Sequence, residues 1–475
     1  MRIPRGRFWL FVPGSNTVRD PMGDGTRGKP HRTAASPQPA RSEPMHARPA
    51  CISPEQIACC ENMPFLRCGN SHRVRRAVSE RPPADRRRCR RPIPLQLIKS
   101  GGRMTSATRH AEIAGAGFAG LACAIALRQR GWSVRVHEAA HELRAFGAGI
   151  FIWDNGLHVL DALGAYAAVL AGAYACPAYE TRTDGQRLSY QRINSPGNLR
   201  LLTMTRQHLY QAMLSSAQRH GVAIVTHSRA VGATADGTLL LADGSRLGAD
   251  VVVGADGVKS AVRDSLNIPM QRRQYHDGLI RVLTDRGPLK GGAWDNVIDF
   301  WSTGERTLRI LYTPSGEDTL YMAMMAPLSD AEASSIPVRP QVWIDAFPEL
   351  APVLSTLGDR GRYDLYETTK LASWSVGKVA IVGDSAHGMP PTLAQGAGCA
   401  MMNALGLAVA IDESDSVEAG LALWERRERP LTDHTQSRAA ELAASRDLSS
   451  GMRWDDIGLR AARHLPTGTQ ATFSL

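Results

Sequence analysis

Three closely spaced glycines are the residues of this chain whose type and spacing most directly indicate chemistry. Gly115, Gly117 and Gly120 follow an apolar stretch in the segment Ala111-Glu-Ile-Ala-Gly115-Ala-Gly117-Phe-Ala-Gly120. A tight turn needs the first glycine, close approach of a phosphate needs the second, and close packing of a helix on a strand needs the third. The pattern predicts a strand, a turn and a helix whose free N–H groups bind the pyrophosphate of a dinucleotide.

An acidic residue stands where the ribose of such a dinucleotide is bound. Glu138 ends the second apolar strand, 133–137, and its carboxylate can accept hydrogen bonds from the ribose hydroxyls. The intervening helix begins with Phe118 and Ala119, and both are expected to lie against the pyrophosphate. An ordinary glycine-rich turn is the alternative, but strand, turn, helix, second strand and acid in this order favour a dinucleotide site.

Two glycine–aspartate pairs each close a later apolar strand, in Gly254-Ala-Asp256-Gly257 and in Gly383-Asp384. In a doubly wound sheet, the carboxyl ends of the strands line the crevice that holds the cofactor. We therefore expect Asp256, Gly383 and Asp384 at that crevice, with Asp384 near the ribityl chain or the pyrophosphate. Either aspartate alone is equally well explained as the cap of a following helix. Their combination with the glycine turn favours the cofactor site.

A glycine-rich segment, 390–398, leads into another helix. The N-terminus of that helix, at Gly396, Ala397 and Gly398, can stabilise negative charge on a reduced flavin ring. Two arginines, Arg144 and Arg206, are predicted to meet the anionic portion of the cofactor. The alternative for each is an ordinary surface arginine.

Charge is unevenly distributed along the 475 residues, whose formal net charge is +11. Residues 1–103 carry 21 lysines and arginines against 7 acidic residues, whereas residues 104–475 carry 35 against 38. The first segment also holds 14 of the 28 prolines and shows no apolar periodicity, so we expect it to be disordered. An apolar content of 43% is enough for a sizeable core.

Three interpretations of residues 1–103 compete: a targeting peptide, a basic arm that binds nucleic acid, and translated upstream sequence with Met104 as the native start. The apolar run 8–12 is short for a signal peptide and is followed by proline. The run 86–91 is basic enough for a nucleic-acid arm. We favour Met104 as the start, because the dinucleotide motif begins shortly after it, and we expect no nucleic-acid partner.

The cysteines of residues 104–475 are Cys123, Cys176 and Cys399, which are far apart and fit neither a disulfide framework nor a zinc site. We therefore expect no metal and a cytoplasmic location. The longest uncharged run, 162–179, is too short and too rich in small residues to span a membrane, so we expect no membrane partner.

The predicted fold class is α/β, with a Rossmann-like dinucleotide-binding domain that contains the GxGxxG turn and an inserted antiparallel β-sheet domain. The family resemblance given below implies that the first is an FAD-binding domain and that the second binds substrate. The apolar pattern predicts helices over 157–170 and 205–221. Alternating segments at 279–283, 297–301, 308–312 and 320–324 predict the antiparallel strands. The FAD-binding domain is expected to span 104–273 and 373–475, with the inserted domain at 274–372.

The glycine turn and the two glycine–aspartate pairs occur in the order typical of single-component FAD-dependent aromatic hydroxylases with the para-hydroxybenzoate hydroxylase fold. The chain resembles that family from about residue 110 to 455, and it is particularly similar to the family's pyridine-ring oxygenases of vitamin B6 breakdown. The pyridine-ring oxygenases have a Cys-Pro pair where this chain has Pro390 and Pro391, so the chain departs from them at Pro390. The resemblance implies that Pro391 lies beside the flavin. The segments that carry the resemblance are 142–150, 278–281, 366–370 and 393–401.

The resemblance implies a set of substrate-contacting residues: Tyr179, Arg281, Arg309, Tyr321 and Tyr366. Arg281 and Arg309 stand within otherwise apolar strands, where a buried guanidinium needs an anionic partner, and a substrate carboxylate would provide one. The tyrosine hydroxyls would meet the ring oxygen or nitrogen of the substrate. The alternative is that the arginines pair with internal carboxylates such as Asp299 and that the tyrosines are core residues.

The activity that the resemblance implies is hydroxylation of a small aromatic acid, in which NADH or NADPH reduces bound FAD and O2 then reacts at the flavin. In the pyridine oxygenases the ring also opens, so a 3-hydroxypyridine carboxylate is the expected substrate. Two alternatives remain open. One is a hydroxylase of a benzenoid or nicotinate-type acid without ring opening, and the other is a nucleic-acid-associated factor that acts through residues 1–103.

Overall fold

A computed structural model describes residues 108–143, 148–445 and 459–470. All of them belong to one structural unit of the chain. Arg144 and residues 1–103, which figure in the sequence predictions, lie outside the described residues. The described α-helices are α1 (Phe118–Gln129), α2 (Asp154–Ala162), α3 (Tyr166–Leu170), α4 (Arg206–Arg219), α5 (Ala261–Ser265), α6 (Pro340–Ala346), α7 (Ala351–Leu354), α8 (Asp384–His387), α9 (Gly396–Asp412) and α10 (Val417–Ser445).

The strands fall into four sheets, and their bounds show which part of the chain each sheet uses. The described strands are β1 (His110–Ala114), β2 (Ser133–His137), β3 (Gly149–Trp153), β4 (Ala178–Thr183), β5 (Gln186–Arg192), β6 (Leu201–Thr205), β7 (Ala223–Val225), β8 (Ala230–Thr234), β9 (Thr238–Leu241), β10 (Arg246–Gly248), β11 (Val251–Gly254), β12 (Met270–Asp285), β13 (Val297–Ser302), β14 (Leu308–Pro314), β15 (Thr319–Pro327), β16 (Tyr363–Leu371), β17 (Ser375–Val376) and β18 (Val379–Ile381).

A six-stranded sheet, in the order β17-β18-β11-β1-β2-β7, carries the glycine turn and is called here the nucleotide sheet. All of its strands are parallel except the edge strand β17. Because the strand order reverses at β1, the crevice beyond the carboxyl end of β1 is the expected position for a ligand. Ile113, Val136, Val253 and Ile381 are fully buried in the core around this sheet. The predicted Rossmann-like fold is therefore confirmed.

The secondary structure differs from the sequence predictions in two places. The helix predicted over 157–170 is divided into α2 and α3, because Gly164 adopts a φ of +67° between them. A small antiparallel sheet of β8, β9 and β10 lies between residues 230 and 248, where no strands were predicted. Their sequences, AVGAT, TLLL and RLG, do not alternate between apolar and polar residues, so the period-two pattern is absent.

A seven-stranded sheet, in the order β16-β12-β15-β14-β13-β4-β5, forms the second layer and is called here the large sheet. The four strands predicted at 279–283, 297–301, 308–312 and 320–324 are confirmed as parts of β12, β13, β14 and β15, which pair antiparallel. β4 and β5 come from residues 178–192, and β4 pairs parallel with β13. The predicted insertion 274–372 therefore supplies most of this sheet rather than all of it. The predicted domain limits themselves stay predictions.

The two faces of the large sheet have different neighbours. Ile280, Ile310 and Met324 point to one face and pack with the helical layer of α6 and α7 in a separate apolar core. Side chains alternate between the two faces along each strand, so Leu279, Leu311 and Ala323 point to the opposite face. This second face lies opposite the nucleotide sheet. Among the described residues, none of the helices combines the length and apolar character that crossing a lipid bilayer requires.

Candidate flavin and substrate site

A cavity of about 320 Å³ lies between the carboxyl ends of the nucleotide-sheet strands and one face of the large sheet. Several predicted residues do not line it, among them Gly115, Gly120, Glu138, Asp256, Gly383, Gly398, Tyr179, Arg309 and Tyr366. The predicted residues that line it are Gly117, Phe118, Ala119, Arg206, Arg281, Tyr321, Asp384, Pro391, Gly396 and Ala397.

The glycine turn is shaped by close approaches between backbone segments. Gly115 has a φ of +99°, and a side chain there would overlap the carbonyl oxygen of Ala255 at the end of β11. A side chain at Gly120 would overlap the carbonyl oxygen of Gly115, so this glycine allows α1 to pack on the turn. At Gly117, by contrast, a Cβ would meet no atom within 4 Å. The open space at Gly117 is where a bound phosphate can approach the backbone.

The N-terminus of α1 is available to an anion. No side chain caps it, and its first turn contains no acidic residue. Its uncapped N–H groups and the helix dipole therefore favour a phosphate next to Gly117. Glu138 braces the same turn, because its carboxylate accepts hydrogen bonds from the N–H groups of Ala116 (3.0 Å) and Ala140 (2.8 Å). Its predicted contact with a ribose stays a prediction.

The two glycine–aspartate pairs are joined by the hydroxyl group of Ser385. This hydroxyl accepts a hydrogen bond from the N–H of Gly257 (2.8 Å) and donates to Asp256 Oδ1 (3.4 Å). Asp256 also accepts from the hydroxyl of Ser260 and from the N–H of Val262 at the start of α5. The carboxylate of Asp256 thus acts at a helix start, as the alternative explanation held, and its direct contact with a cofactor stays a prediction.

Asp384 has a different position from Asp256, since it is exposed and lines the cavity. It begins α8 directly after Gly383, whose φ is +64°. A Cβ on Gly383 would lie 2.8 Å from the Cβ of Ala119, so a glycine is required where this strand end meets α1. The close approach brings the strand end that carries Asp384 against the first turn of α1.

The N-terminus of α9 forms another part of the cavity wall. Gly396 and Ala397 line the cavity directly, and Gly398 is buried against α2. Behind them, Asn155 Nδ2 donates a hydrogen bond to Gln395 Oε1 (3.1 Å), and both side chains are buried. This pair fixes the residue that precedes α9. The uncapped first turn of α9 therefore faces the cavity with a favourable dipole for negative charge.

Two arginines that line the cavity differ in their partners. The guanidinium of Arg206 lies 5.1 Å above the ring of Phe118, and burial lowers its pKa although Asp384 opposes that effect. Arg281 pairs with Asp364, which also accepts hydrogen bonds from Arg362. One carboxylate is thus shared by two guanidiniums, and Arg206 and Arg281 both present positive charge to the cavity, whose acidic lining residue is Asp384.

Arg309 is held by an internal carboxylate. Its Nε and Nη2 donate to the two oxygens of Asp299 at 2.6 and 2.9 Å, and Nη1 lies 3.3 Å from the sulfur of Met325. Burial opposes the charge on Arg309, but Asp299 outweighs it and the pKa of Arg309 is raised. Tyr179 donates to the same carboxylate (3.4 Å), and burial raises the pKa of Tyr179. Arg309 therefore pairs with an internal carboxylate, as the alternative interpretation of this arginine predicted.

The two other candidate tyrosines lie on the same side of the large sheet as Arg309. Tyr321 lines the cavity; burial raises its pKa and the nearby Arg281 opposes the shift, so the phenol stays protonated at neutral pH. Tyr366 is 5% exposed, and its hydroxyl has no hydrogen-bond partner among the described residues. Burial raises the pKa of Tyr366 as well. A buried hydroxyl without a partner is unfavourable unless a ligand supplies one.

Sequence reasoning missed the apolar part of the cavity wall. The period-two pattern of the strands could have found it, because Leu279 is two residues from Arg281 and Ala323 and Met325 follow Tyr321 on the same face. No group of His, Cys, Asp and Glu in the described residues has the arrangement of a metal site. The apolar lining residues that were not predicted include Ile150, Phe151, Leu279, Leu311, Ala323 and Met325.

Comparison with known proteins identifies the family. A family profile described as "FAD binding domain" matches residues 108–435, more than half of the chain. The chain belongs to this FAD-binding family. The features above fit FAD: open space at Gly117, uncapped N-termini of α1 and α9, and a cavity between them.

Similar proteins narrow the activity to aromatic hydroxylation by this FAD-binding family. The 2-heptyl-3-hydroxy-4(1H)-quinolone synthase of Mycobacteroides abscessus is 42% identical over 333 residues, covering 69% of this chain and 88% of that protein. The 3-amino-4-hydroxybenzoate 2-monooxygenase PtnB3 of Streptomyces platensis is 30% identical, covering 72% of this chain and 89% of that protein. The chain is thus an FAD-dependent aromatic monooxygenase.

A solved structure shows the same fold in a pyridine oxygenase. The tetrameric form of 2-methyl-3-hydroxypyridine-5-carboxylic acid oxygenase is 48% identical, with a TM-score of 0.73, and the match covers 77% of this chain and all of that chain. The predicted resemblance to FAD-dependent aromatic hydroxylases of this type is confirmed.

Proposed function

We propose that this chain uses NADH or NADPH and O2 to hydroxylate a 3-hydroxypyridine carboxylate and that the ring then opens. The observation that carries the proposal is the presence of two guanidiniums, Arg206 and Arg281, on the wall of a cavity whose sheet-side lining is otherwise largely apolar. A small aromatic anion fits such a wall, because its ring contacts apolar side chains while its carboxylate meets a guanidinium. The likeness to the pyridine oxygenase supports the same class of substrate.

Bound FAD would supply the redox chemistry, accepting hydride from the nicotinamide and activating O2. Gly117 and the N-terminus of α1 would hold its pyrophosphate, and Gly396 and Ala397 at the start of α9 would face its ring. We assign Asp384 to the hydroxyl groups between these two ends. Positive dipole ends at α1 and α9 favour the anionic parts of the cofactor at both positions.

On the substrate side, Tyr321 is a protonated phenol in the cavity wall and can donate a hydrogen bond to the ring oxygen of the substrate. Such a bond stabilises the deprotonated oxygen, which makes the ring electron-rich at the position to be hydroxylated. Leu279, Leu311 and Met325 exclude water from the same region. Tyr179 and Arg309 would act one layer further away through Asp299.

A second candidate is hydroxylation of an uncharged heteroaromatic ring such as a 4-quinolone. The quinolone synthase from M. abscessus favours it, with 42% identity over 88% of its length. The pairing of Arg309 with Asp299 and of Arg281 with Asp364 also leaves these arginines less dependent on a substrate carboxylate. The two candidates differ in whether a carboxylate is needed.

Turnover of purified FAD-loaded protein separates the candidates. We would supply 2-methyl-3-hydroxypyridine-5-carboxylate, its analogue without the carboxylate, 4-hydroxybenzoate and a 2-alkyl-4-quinolone, each with NADH or NADPH. Products formed under 18O2 are analysed by mass spectrometry, and hydrogen peroxide is measured to detect uncoupled oxidation. The proposal expects the pyridine carboxylate to gain one labelled oxygen atom from O2 and, as water adds and the ring opens, one unlabelled oxygen atom. Turnover restricted to the quinolone, or gain of one oxygen with the ring intact, would contradict it.

A further inference from the structure

We infer that residues 459–470, called here the C-terminal segment, form the outer layer of the sheet-side cavity wall. Within this segment, Leu459 and Ala462 determine how large a ring substituent the substrate can carry. The inference rests on the proposed function, because it concerns substrate selection at that same cavity. It assigns a role to a part of the chain that lies outside the nucleotide motifs and outside the predicted insertion.

Packing places this segment behind the cavity wall. Leu459 and Ala462 are fully buried in the same apolar cluster as Phe151, Tyr321 and Met325, and these three residues line the cavity. Neither Leu459 nor Ala462 lines the cavity itself. They therefore lie one layer behind these lining residues, in the same apolar cluster.

The neighbouring residue Ala461 belongs to a different core. It is 1% exposed and belongs to the apolar core around the nucleotide sheet. Leu459 and Ala462 belong instead to the cluster that contains Tyr179, Tyr321 and Tyr366, called here the tyrosine cluster. The segment thus passes between these two cores, and the consecutive side chains of Ala461 and Ala462 enter different ones. We expect only the side chains that enter the tyrosine cluster to change the affinity for substrates with different ring substituents.

Three contacts fasten the segment in place. The N–H of Asn155 donates to the carbonyl oxygen of Ala462 (3.2 Å), and the hydroxyl of Thr467 donates to the buried Glu428 (2.7 Å). Gly468, with a φ of +82°, lies against α9 so closely that a Cβ would be 2.7 Å from Val409 Cγ2. Asn155 is also the residue that holds Gln395 before α9. The segment is therefore a fixed support for two sides of the cavity.

A fixed second layer limits the cavity because protein cores are close-packed. Truncation of a buried leucine leaves space that its neighbours fill only in part. If Leu459 is shortened, Phe151 and Met325 can move back and the apolar end of the cavity becomes deeper. If Ala462 is enlarged, the same residues are pushed toward the substrate. The two changes should thus alter substituent selection in opposite directions.

The test uses the full-length FAD-loaded chain and the 2-methyl, 2-propyl and 2-heptyl forms of 3-hydroxypyridine-5-carboxylate. Binding is followed by the change in flavin absorbance, and turnover is measured separately. The variants are Leu459→Ala, Ala462→Leu and, as a matched control, Leu421→Ala, which removes the same atoms from a leucine that is 1% exposed in the nucleotide core.

We expect Leu459→Ala to lower the ratio of the 2-heptyl to the 2-methyl Kd by about tenfold, the usual effect of one or two methylene groups in an apolar pocket. Ala462→Leu should raise the Kd even for the 2-methyl form, whereas Leu421→Ala should lower the Tm without changing the ratio. Equal ratios in Leu459→Ala and wild type would overturn the inference. A changed ratio without turnover of any compound would instead refute the proposed function alone. If wild type binds none of the compounds, both fall.

Discussion

At the scale of single residues, the hydroxyl groups of the candidate tyrosines are distinguished by their partners. Tyr179 donates to Asp299, whereas the hydroxyl of Tyr366 is buried and has no partner in the described part of the chain. A buried donor that lacks a partner lowers stability, and either a ligand group or an ordered water molecule would satisfy it. Tyr366 is thus the tyrosine whose replacement should separate a binding role from a structural one.

Tyr366→Phe should leave the free energy of unfolding unchanged or slightly higher, because no hydrogen bond to protein is lost. Its affinity for substrate should fall. The matched control is Tyr312→Phe: Tyr312 is also buried, but it donates to the carbonyl oxygen of Leu289 (2.7 Å), and its loss should cost about 1 kcal/mol. Urea unfolding and flavin-monitored substrate titration give the two quantities. A Tyr366→Phe protein with unaltered substrate affinity would place this tyrosine in the core.

Gly117→Val should give folded protein without bound flavin. A Cβ at this position meets no protein atom within 4 Å, so we expect the fold to tolerate valine, but the side chain occupies the space proposed for the pyrophosphate. Gly248→Val is the control, because Gly248 is equally open and lies in β10, away from the cavity. The visible flavin absorbance of the two purified variants, compared with that of wild type, measures how much cofactor each one binds. Yellow Gly117→Val protein would count against this cofactor position.

Arg309→Met should weaken substrate binding while FAD stays bound, and it should also lower stability. Asp299 is 3% exposed, and removing its partner leaves a buried charge unpaired, which typically costs about 3–5 kcal/mol. Adding Asp299→Asn should recover much of that loss. Comparison of the single and double variants by urea unfolding and substrate titration separates the effects. If the double variant recovers substrate affinity together with stability, the pair has only a structural role.

At the scale of secondary-structure elements, the cavity depends on how closely β3 crosses the large sheet. Gly149, the first residue of β3, lines the cavity, and a side chain there would overlap the ring of Tyr321 on β15. Because Gly149 has no side chain, β3 can approach the face of the large sheet that carries Tyr321 and the other predicted substrate residues. The absence of a Cβ at one position therefore sets the position of a tyrosine far away in the sequence.

Gly149→Ala should displace the ring of Tyr321 and reduce substrate affinity by about tenfold, with a loss of stability of about 1–3 kcal/mol from overpacking. FAD binding should persist, because the phosphate-binding turn is not involved. Gly248→Ala again serves as the control. Substrate titration followed by flavin absorbance, with a parallel thermal melt, measures both effects. Normal substrate affinity in Gly149→Ala would show that Tyr321 does not contact the substrate.

Sequence patterns predicted the elements that depend on local signals and missed those that depend on distant pairing. The glycine turn, β12 to β15 and the start of α9 follow from turn residues and alternation within short stretches. The addition of β4 and β5 to the large sheet could not be predicted in the same way, because β4 pairs in parallel with a strand more than a hundred residues later. Likewise, Arg281 and Arg309 were recognised as buried cations, but a sequence does not show which carboxylate each one meets.

At the scale of the whole molecule, acid stability should depend on one carboxylate in the middle of the nucleotide sheet. Glu112 in β1 is buried; Arg135 donates to it, and His137 Nε2 and His110 Nε2 lie 2.7 and 3.0 Å from its oxygens. Burial raises the pKa of Glu112, but the hydrogen bonds with His137, Arg135 and His110 outweigh this and lower the pKa from 4.5 to about 2.

Because the pKa of Glu112 is lowered in the folded state, its stabilising effect is complete above the unfolded value near 4.5 and is lost as the pH falls toward 2. The full effect is about 3 kcal/mol. Urea unfolding of the FAD-loaded protein between pH 5 and 3 should therefore show a steep loss of stability in wild type and a flatter one in Glu112→Gln. The exposed Glu418→Gln is the control. Identical slopes in all three proteins would refute the assignment.

The hydroxyl of Ser385 connects two strand ends whose residues are separated by 128 and 129 positions along the chain. An alanine at 385 would leave the Gly257 amide without its acceptor and remove one donor from Asp256. Natural variation at these sites is therefore expected to be correlated: lineages that replace the serine should also change the aspartate or bring in a compensating polar group. An evolutionary survey can thus detect this link without any kinetic measurement.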